Sequence, residues 1–254
     1  MTTFGLVPGA IEFLDDDAAV GFVETAAPEL SAEHRTAMNA HWHEAAQANA
    51  ALFDGPVAAV TGVRDDVGGR IEVSWARTTY RRHALRRVPG APTLSWLFAA
   101  VVQPTPAGVL LGRMAAWTAS GPGQWVLPGG SMEPPEAGQA MNEELIRRHA
   151  ARELREETGL TVEPGHLERW ALVRSAQGNV GFVYHAPPQP EAIVRRCFSG
   201  HIRREREHGE QAELTGVAFV GGPQQLEELD GPAAVSVPPL LSRYWQRAQP
   251  DSSP

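Results

Sequence analysis

The segment RELREETGL, residues 152 to 160, places three glutamates and two arginines near the end of a helix predicted over residues 138 to 158. Glu153, Glu156 and Glu157 stand at positions i, i+3 and i+4, so they share one face of that helix. Like charges at this spacing cost a few tenths of a kcal/mol per pair. A stable helix with this sequence therefore needs solvent or cations at that face.

The apolar residues of the same helix indicate where the acidic face points. Ile146 and Leu154 define the stripe that faces the protein. On a wheel of about 100° per residue counted from Ile146, Glu157 falls at about 20° and Glu153 at about 340°, whereas Arg155 falls at about 180°. The acids thus point inward, where carboxylates need cations or take up protons. Hard divalent ions such as Mg²⁺ prefer oxygen ligands of this kind.

The flanking residues distinguish a metal-binding face from a surface helix that is merely paired through its arginines. Gly138, five residues, Glu144 and seven residues precede RELREETGL. This order resembles the Nudix box, G-x5-E-x7-R-E-U-x-E-E-x-G-U with U apolar, and fills every specified position. The WVLPGG segment upstream is also similar to the lead-in of that family.

The resemblance to the Nudix family implies an α/β fold, a Nudix α/β/α sandwich with a mixed sheet, in which the box forms loop, helix and loop. It implies a hydrolase of nucleoside diphosphates linked to another moiety, with Mg²⁺ or Mn²⁺ as cofactor. By position, the metal ligands would be Glu153, Glu156 and Glu157, with Glu156 also counted as catalytic. Arg152 and Glu144 would be catalytic residues that orient these ligands.

One feature departs from the family pattern. In most members the first glycine of the box belongs to the PGG turn, but here Gly130 lies eight residues before Gly138. Counted from Gly130, the first glutamate would be Glu136, and the next spacing would be too long. The Gly138/Glu144 register is preferred because it is continuous with the helix. Residues 131–137 then form an extra loop, either a lid over the substrate or a decoration.

The chain is predicted to comprise a small α+β N-terminal domain (1–92), a Nudix hydrolase domain (93–248) and a disordered tail (249–254). A helix is predicted over residues 30–50 with Ser31 as its N-cap. The segment 86–92 is the predicted linker. Later in the chain, a helix at EAIVRRCF is expected to give way to a polar segment, HIRREREHGEQAE.

The N-terminal region is similar in layout to a Nudix branch that resembles UDP-glucose pyrophosphatase. The likeness comprises LFDGP, a strand that ends in TTYRRH, and the late segment HGEQAELTGVAFV. It implies a nucleotide sugar such as UDP-glucose as substrate, cut to a nucleoside monophosphate and a sugar phosphate. Coenzyme A, another diphosphate, and a nucleotide-binding module without turnover are the alternatives.

Residues outside the box would complete the site. Glu213, just before a predicted strand, is the first choice for a catalytic base and Glu210 the second, although each could be a solvated loop acid. Arg113 could contact the diphosphate or end a strand in water. Tyr80 with Arg81 could bind substrate by stacking and phosphate contact, or form an aromatic anchor beside a basic rim.

Composition excludes several other classes. The net charge of −8 gives no footprint for nucleic acid or anionic membranes. All 22 basic residues are arginine, which removes Schiff-base and phosphate-loop lysines. The single Cys197 allows no internal disulfide. With no signal-like N-terminus and no run of about 18 apolar residues, a cytoplasmic protein with no membrane segment is expected. A homodimer is compatible with the sequence, which does not decide the oligomeric state.

Overall fold

A computed structural model of the chain describes residues 11–65 and 69–248. The sequence-based expectations for the N-terminus and for the 249–254 tail lie outside these residues. Twelve strands are present in the described part: β1 (Ile11–Phe13), β2 (Val20–Glu24), β3 (Pro56–Asp65), β4 (Ile71–Thr79), β5 (Ser95–Val102), β6 (Pro104–Thr105), β7 (Gly108–Met114), β8 (Trp125–Val126), β9 (Gly129–Ser131), β10 (Glu168–Ser175), β11 (Val180–His185) and β12 (Leu214–Val220). The helices are α1 (Ala32–Ala48), α2 (Glu143–Thr158), α3 (Glu191–His208), α4 (Pro223–Glu227) and α5 (Val237–Ala248), with 3-10 helices at Tyr80–Arg87 and Pro164–His166.

The strands form two sheets. The larger has eight strands in the order β1-β10-β11-β5-β3-β4-β2, with β9 added alongside β5. Within it β11 runs parallel to β5 and β2 parallel to β4, whereas the other pairs are antiparallel. The smaller sheet has the order β12-β7-β6, with β8 on β7. The predicted mixed-sheet α/β fold is therefore confirmed, and an N-terminal region of strands and a helix is present.

The N-terminal strands and the later ones belong to the same sheet. Ala59 of β3 pairs with Trp96 of β5, so the sheet continues across the predicted boundary at residue 92. One core cluster also joins both regions, since Val73 and Trp75 of β4 pack in it with Leu97 and Leu154. Burial of these apolar side chains is the main force that holds the two regions together.

The helix that carries the glutamates starts later than predicted. Asn142 caps α2, because its side chain accepts a hydrogen bond from the Leu145 amide at 2.9 Å. Gly138 lies before this cap in a turn with φ of +85°. The C-terminal end is as predicted, because Gly159 adopts the left-handed conformation with φ of +74°.

The helix α3 is longer than predicted, since it continues through most of the segment expected to be polar and irregular. Ion pairs at i, i+4 support the added turns, among them Arg203 with Glu207 at 3.8 Å. Gly209 then ends the helix in the left-handed conformation. The N-terminal helix is as predicted, and Ser31 caps α1 by accepting from the His34 amide. None of the helices in residues 11–65 and 69–248 combines the length and apolar character needed to cross a membrane.

Candidate active site

The last turns of α2 lie against the turn that follows β8. The carboxylate of Glu157, which is only 6% exposed, accepts a hydrogen bond from the Gly129 amide at 2.8 Å. Gly129 has φ of +151°, and a Cβ there would lie 2.2 Å from the Ala99 carbonyl oxygen, so only glycine fits. The glycine turn thus holds one carboxylate in place from the protein side.

The second carboxylate also approaches this turn closely. A Cβ on Gly130 would lie 2.5 Å from Oε2 of Glu153. The Glu153 side chain is 19% exposed, whereas Arg155 on the opposite face is largely in solvent. The inward orientation predicted for the acidic face of α2 is confirmed for Glu153 and Glu157, whereas the Glu156 side chain is 50% exposed.

Burial and mutual repulsion make these carboxylates hard to ionise. Burial, opposed by Arg152 and reinforced by Glu156, raises the pKa of Glu153 to about 7. Burial also raises the pKa of Glu157 well above its usual range, against the Gly129 hydrogen bond. Glu213 lines the same region, and its pKa is raised mainly by burial and also by the charge of Glu156. The shared cause is a group of carboxylates partly removed from water.

The donor set fits a divalent metal ion. All the donors are carboxylate oxygens, the ligands that Mg²⁺ and Mn²⁺ prefer. A cation would offset the repulsion that raises the pKa values of Glu153 and Glu157. Within residues 11–65 and 69–248, no three acidic, histidine or cysteine side chains are already close enough together to hold an ion. Ligation by this group would therefore need side-chain adjustment.

Arg152 is held between two partners next to these carboxylates. It donates to Glu133 at 2.9 Å and to Nδ1 of His149 at 2.7 Å. His149 is buried, and its Nε2 lies 3.4 Å from the Gly130 carbonyl and 3.5 Å from Glu153. Burial and the adjacent Arg152 lower the pKa of His149 to about 4.

The 131–137 loop that contains Glu133 is anchored at both ends. The pairing of Glu133 with Arg152 ties it to α2. Arg77 of β4 donates to the carbonyl oxygens of Pro135 and Glu136, and the same arginine pairs with Glu24 at 2.7 Å. In this conformation the loop packs between α2 and the N-terminal strands.

Two clefts meet at the acidic residues. Glu153, Glu157, Glu213 and Trp117 line both of them. The larger cleft, of about 810 Å³, extends toward the N-terminal region. The smaller one, of about 580 Å³, extends toward α3. Volumes in this range are typical of small-molecule sites.

Comparison with known families agrees with this geometry. The family model described as NUDIX domain matches residues 96–233, more than half of the chain. The chain belongs to the NUDIX domain family. This confirms the predicted family and, with it, the prediction of a Nudix hydrolase. Members of the family generally use divalent metal ions. No curated protein matches the sequence.

Several solved structures resemble the Nudix domain of the chain. The MutT protein from Methanosarcina mazei Go1 is 18% identical, with 61% of this chain and 96% of that chain covered and a TM-score of 0.43. A putative nudix hydrolase family member from Chromobacterium violaceum is 22% identical, with 64% and 84% covered and a TM-score of 0.39. The NUDIX domain of Shewanella oneidensis NrtR, complexed with ADP ribose, is 19% identical, with 68% and 100% covered and a TM-score of 0.40.

Not all of the predicted site residues lie at the Nudix clefts. Glu156 lines the smaller cleft, where it is exposed. Glu144 lines neither cleft and pairs instead with Arg147 at 3.1 Å and Arg148 at 3.0 Å on the surface of α2. Arg113 also lies outside both clefts, where it pairs with Asp230 at 3.1 Å. Arg113 belongs to β7 of the smaller sheet, and its side chain is directed toward Asp230.

The aromatic and basic pair from the N-terminal region has a different arrangement from a simple stacking site. Tyr80 lines the larger cleft, but its ring stacks on those of His83 and Trp96, with distances of 5.6 Å and 6.4 Å between ring centroids. Arg81 pairs with Asp54 at 2.9 Å and lies over the Trp42 ring at 5.9 Å. These contacts agree with the alternative interpretation of Tyr80 and Arg81, an aromatic anchor beside a basic rim. Trp42, Trp96 and Trp125 are buried.

Three site residues were missed by reasoning from the sequence. Glu133 and His149 hold Arg152, but His149 stands at an unspecified position of the motif and Glu133 lies in the loop before its first glycine. Phe53 lines the larger cleft with an exposed ring. The available signal for Phe53 was an aromatic residue within the LFDGP segment.

Proposed function

We propose that the protein hydrolyses the diphosphate bond of a nucleoside diphosphate linked to another moiety, in a reaction that depends on a divalent metal ion. The observation that carries this proposal is the placement of Glu153, Glu157 and Glu213 at the junction of two clefts. A diphosphate that lies over this acidic junction would leave one cleft for each of the two linked moieties. The released products would be a nucleoside monophosphate and a second phosphate ester.

In this proposal the box glutamates Glu153, Glu156 and Glu157 hold the metal. A bound divalent ion would neutralise the diphosphate and lower the pKa of the attacking water. Arg152 positions Glu153, from which it lies 3.6 Å away, while its own position is set by Glu133 and His149.

Glu213 is proposed as the base that accepts the proton of the attacking water. Burial and the charge of Glu156 raise the pKa of Glu213. A carboxylate with a raised pKa is a better general base, because the pKa is nearer to the operating pH. Its side chain lines both clefts, so it can reach the junction where the diphosphate would lie. Glu210, which lines the smaller cleft but not the larger one, is the second choice.

The substrate class that we propose first is a nucleotide sugar, with UDP-glucose as its representative. The smaller cleft supports a hydroxylated moiety because it is lined by hydrogen-bonding side chains, including His201, Arg204 and Gln211. These groups can donate to and accept from sugar hydroxyls. The larger cleft is lined more by apolar and aromatic groups and suits a nucleoside.

The test is turnover of UDP-glucose, ADP-ribose and coenzyme A with Mg²⁺, with Mn²⁺ and with a chelator. The wild type is compared with Glu157→Gln and with Glu191→Gln, a matched change at a surface residue of α3 that pairs with Arg195. Release of UMP and glucose 1-phosphate, lost in Glu157→Gln and retained in Glu191→Gln, is the expected result. Hydrolysis of another panel member would retain the reaction and replace the nucleotide sugar. Nucleotide binding without turnover of any substrate would overturn the proposed hydrolysis.

A further inference from the structure

Phe53 is the most exposed large apolar side chain of the residues that the structure describes, with 76% of its surface accessible. The other two in this class are Val23 and Val235, so Phe53 is the one aromatic among them. Phe53 lines the larger cleft, which Glu153 and Glu157 also line. An exposed aromatic ring inside a substrate cleft is a candidate for ligand contact rather than for packing.

The loop that carries Phe53 is fixed by hydrogen bonds on both sides of the ring. Asn49 accepts from the amides of Ala51 and Leu52, and its side chain donates to the Trp117 carbonyl across the cleft. Asp54 accepts from the Arg81 amide at 2.8 Å. The ring is therefore presented by a tethered loop, which lowers the entropic cost of using it for binding.

The ring of Phe53 is also placed by the glycine two residues later. A Cβ on Gly55 would lie 3.0 Å from Cε1 of Phe53, so the ring leans over that glycine. The Gly55 carbonyl accepts from the Tyr80 amide at 2.9 Å, which ties this point to the 3-10 helix. Tyr80 cannot offer the same platform, because its ring already packs on His83 and Trp96.

We propose that Phe53 is the aromatic platform on which the base of the nucleotide stacks. This inference rests on the proposed function, because that function places the diphosphate at the acidic junction. The base then lies in the larger cleft against Phe53, and the other moiety lies in the smaller cleft toward α3. Residues 49–57 precede the segment that matches the NUDIX family model. The N-terminal region accordingly acts as a specificity element that recognises the nucleoside.

The two clefts differ in a way that fixes this orientation. Charged and amide side chains line most of the smaller cleft: Arg155, His201, Arg204, Glu205, Glu210 and Gln211. The apolar faces of a base would meet mostly charged and amide groups in this cleft, whereas sugar hydroxyls can donate to and accept from such groups. The larger cleft offers Phe53, Leu52 and Val57 to a planar apolar surface.

The test is the binding of UMP and AMP to the full chain in a chelator, measured by calorimetry. Stacking of one base on an aromatic ring is worth about 1–3 kcal/mol on alanine substitution, so Phe53→Ala should weaken nucleotide binding roughly 5- to 150-fold. Phe53→Trp should restore it. Val23→Ala, a change at an exposed position of β2, is the matched control and should bind as the wild type does. Glucose 1-phosphate should bind Phe53→Ala and the wild type equally.

Unchanged nucleotide affinity in Phe53→Ala, or failure of the wild type to bind either nucleotide, would overturn the platform. Because the measurement needs neither metal nor turnover, it separates this inference from the proposed reaction. A wild type that binds UMP through Phe53 but hydrolyses nothing would refute the reaction and keep the platform. A wild type that hydrolyses UDP-glucose with equal UMP affinity in Phe53→Ala would do the reverse.

Discussion

His149 and Arg152, one turn apart on α2, form a hydrogen bond of 2.7 Å in which the guanidinium donates to Nδ1 of the imidazole. A guanidinium has only donors, so Nδ1 must be an acceptor and the proton of neutral His149 must be on Nε2. That nitrogen points toward the Gly130 carbonyl and Glu153, at 3.4 Å and 3.5 Å. One buried side chain thus connects the arginine, the glycine turn and a proposed metal ligand.

We predict that His149→Ala lowers kcat roughly 10- to 100-fold with a smaller change in KM, because Arg152 loses the contact that places it beside Glu153. His149→Asn, whose amide oxygen can accept from Arg152, should recover part of the loss. Nitrogen-15 NMR should show His149 as the neutral Nε2–H tautomer at about pH 7, since burial and Arg152 lower its pKa to about 4. Wild-type kcat in His149→Ala, or an imidazolium signal at that pH, would refute a positioning role.

The second prediction separates two acids that compete for one role. Glu133 contacts Arg152 at 2.9 Å, whereas Glu144 pairs with Arg147 and Arg148 on the surface. Glu133→Gln should therefore lower kcat by roughly 10-fold, and Glu144→Gln, the same chemical change on α2, should leave it near the wild-type value. Steady-state kinetics on both variants decides the matter. A larger loss in Glu144→Gln would restore the role that the sequence spacing assigned to it.

The glutamates of the acidic face of α2 show which features the sequence could predict. The inward face of Glu153 and Glu157 follows from helical periodicity, which depends only on residues a few positions apart. The end of this helix at residue 158 is equally local, because a glycine follows directly and can adopt the left-handed conformation. These expectations agree with the structure because no distant contact is needed to produce them.

Expectations that depend on distant contacts were less successful. The pairing of Glu133 with Arg152 requires the 131–137 loop to fold back on α2, and no spacing rule encodes that. Arg113 lies on a predicted strand, but the pairing of β7 with β12 and β8 directs it toward Asp230. The length of α3 differs from the prediction for a local reason, since its run of charged residues suggests a loop by composition although it forms i, i+4 ion pairs that support a helix.

A third prediction concerns pH and metal. Burial raises the pKa of Glu153 in the folded, metal-free chain to about 7, above its ordinary value of 4.5. The folded state then binds the proton more tightly than the unfolded state, so this group stabilises the fold most at low pH and loses that contribution as pH rises from 4.5 through about 7. In a chelator, Tm should fall between about pH 5 and about pH 8, and less so in Glu153→Gln.

Saturating Mn²⁺ should raise Tm most at the upper end of this range, where Glu153 is ionised and available as a ligand. Thermal melts with and without the metal measure both effects. Parallel pH profiles for the wild type and Glu153→Gln would show that this carboxylate does not titrate abnormally. The comparison between the two proteins removes the contribution of the other ionisable groups.

The last prediction uses the close approach of the glycine turn to α2. A Cβ at residue 130 would lie 2.5 Å from Oε2 of Glu153, so Gly130→Ala must displace that carboxylate. The backbone of Gly130 lies outside the left-handed region, so alanine is compatible with its conformation and the fold should persist. We expect roughly 10- to 100-fold weaker Mn²⁺ binding by calorimetry and a similar loss of kcat, with circular dichroism unchanged. Gly216→Ala on β12, where a Cβ meets no atom within 4 Å, is the matched control and should behave as the wild type does. Normal metal binding in Gly130→Ala would mean that the carboxylate of Glu153 can hold the ion from a second position, and the rigid placement inferred from this turn would then be wrong.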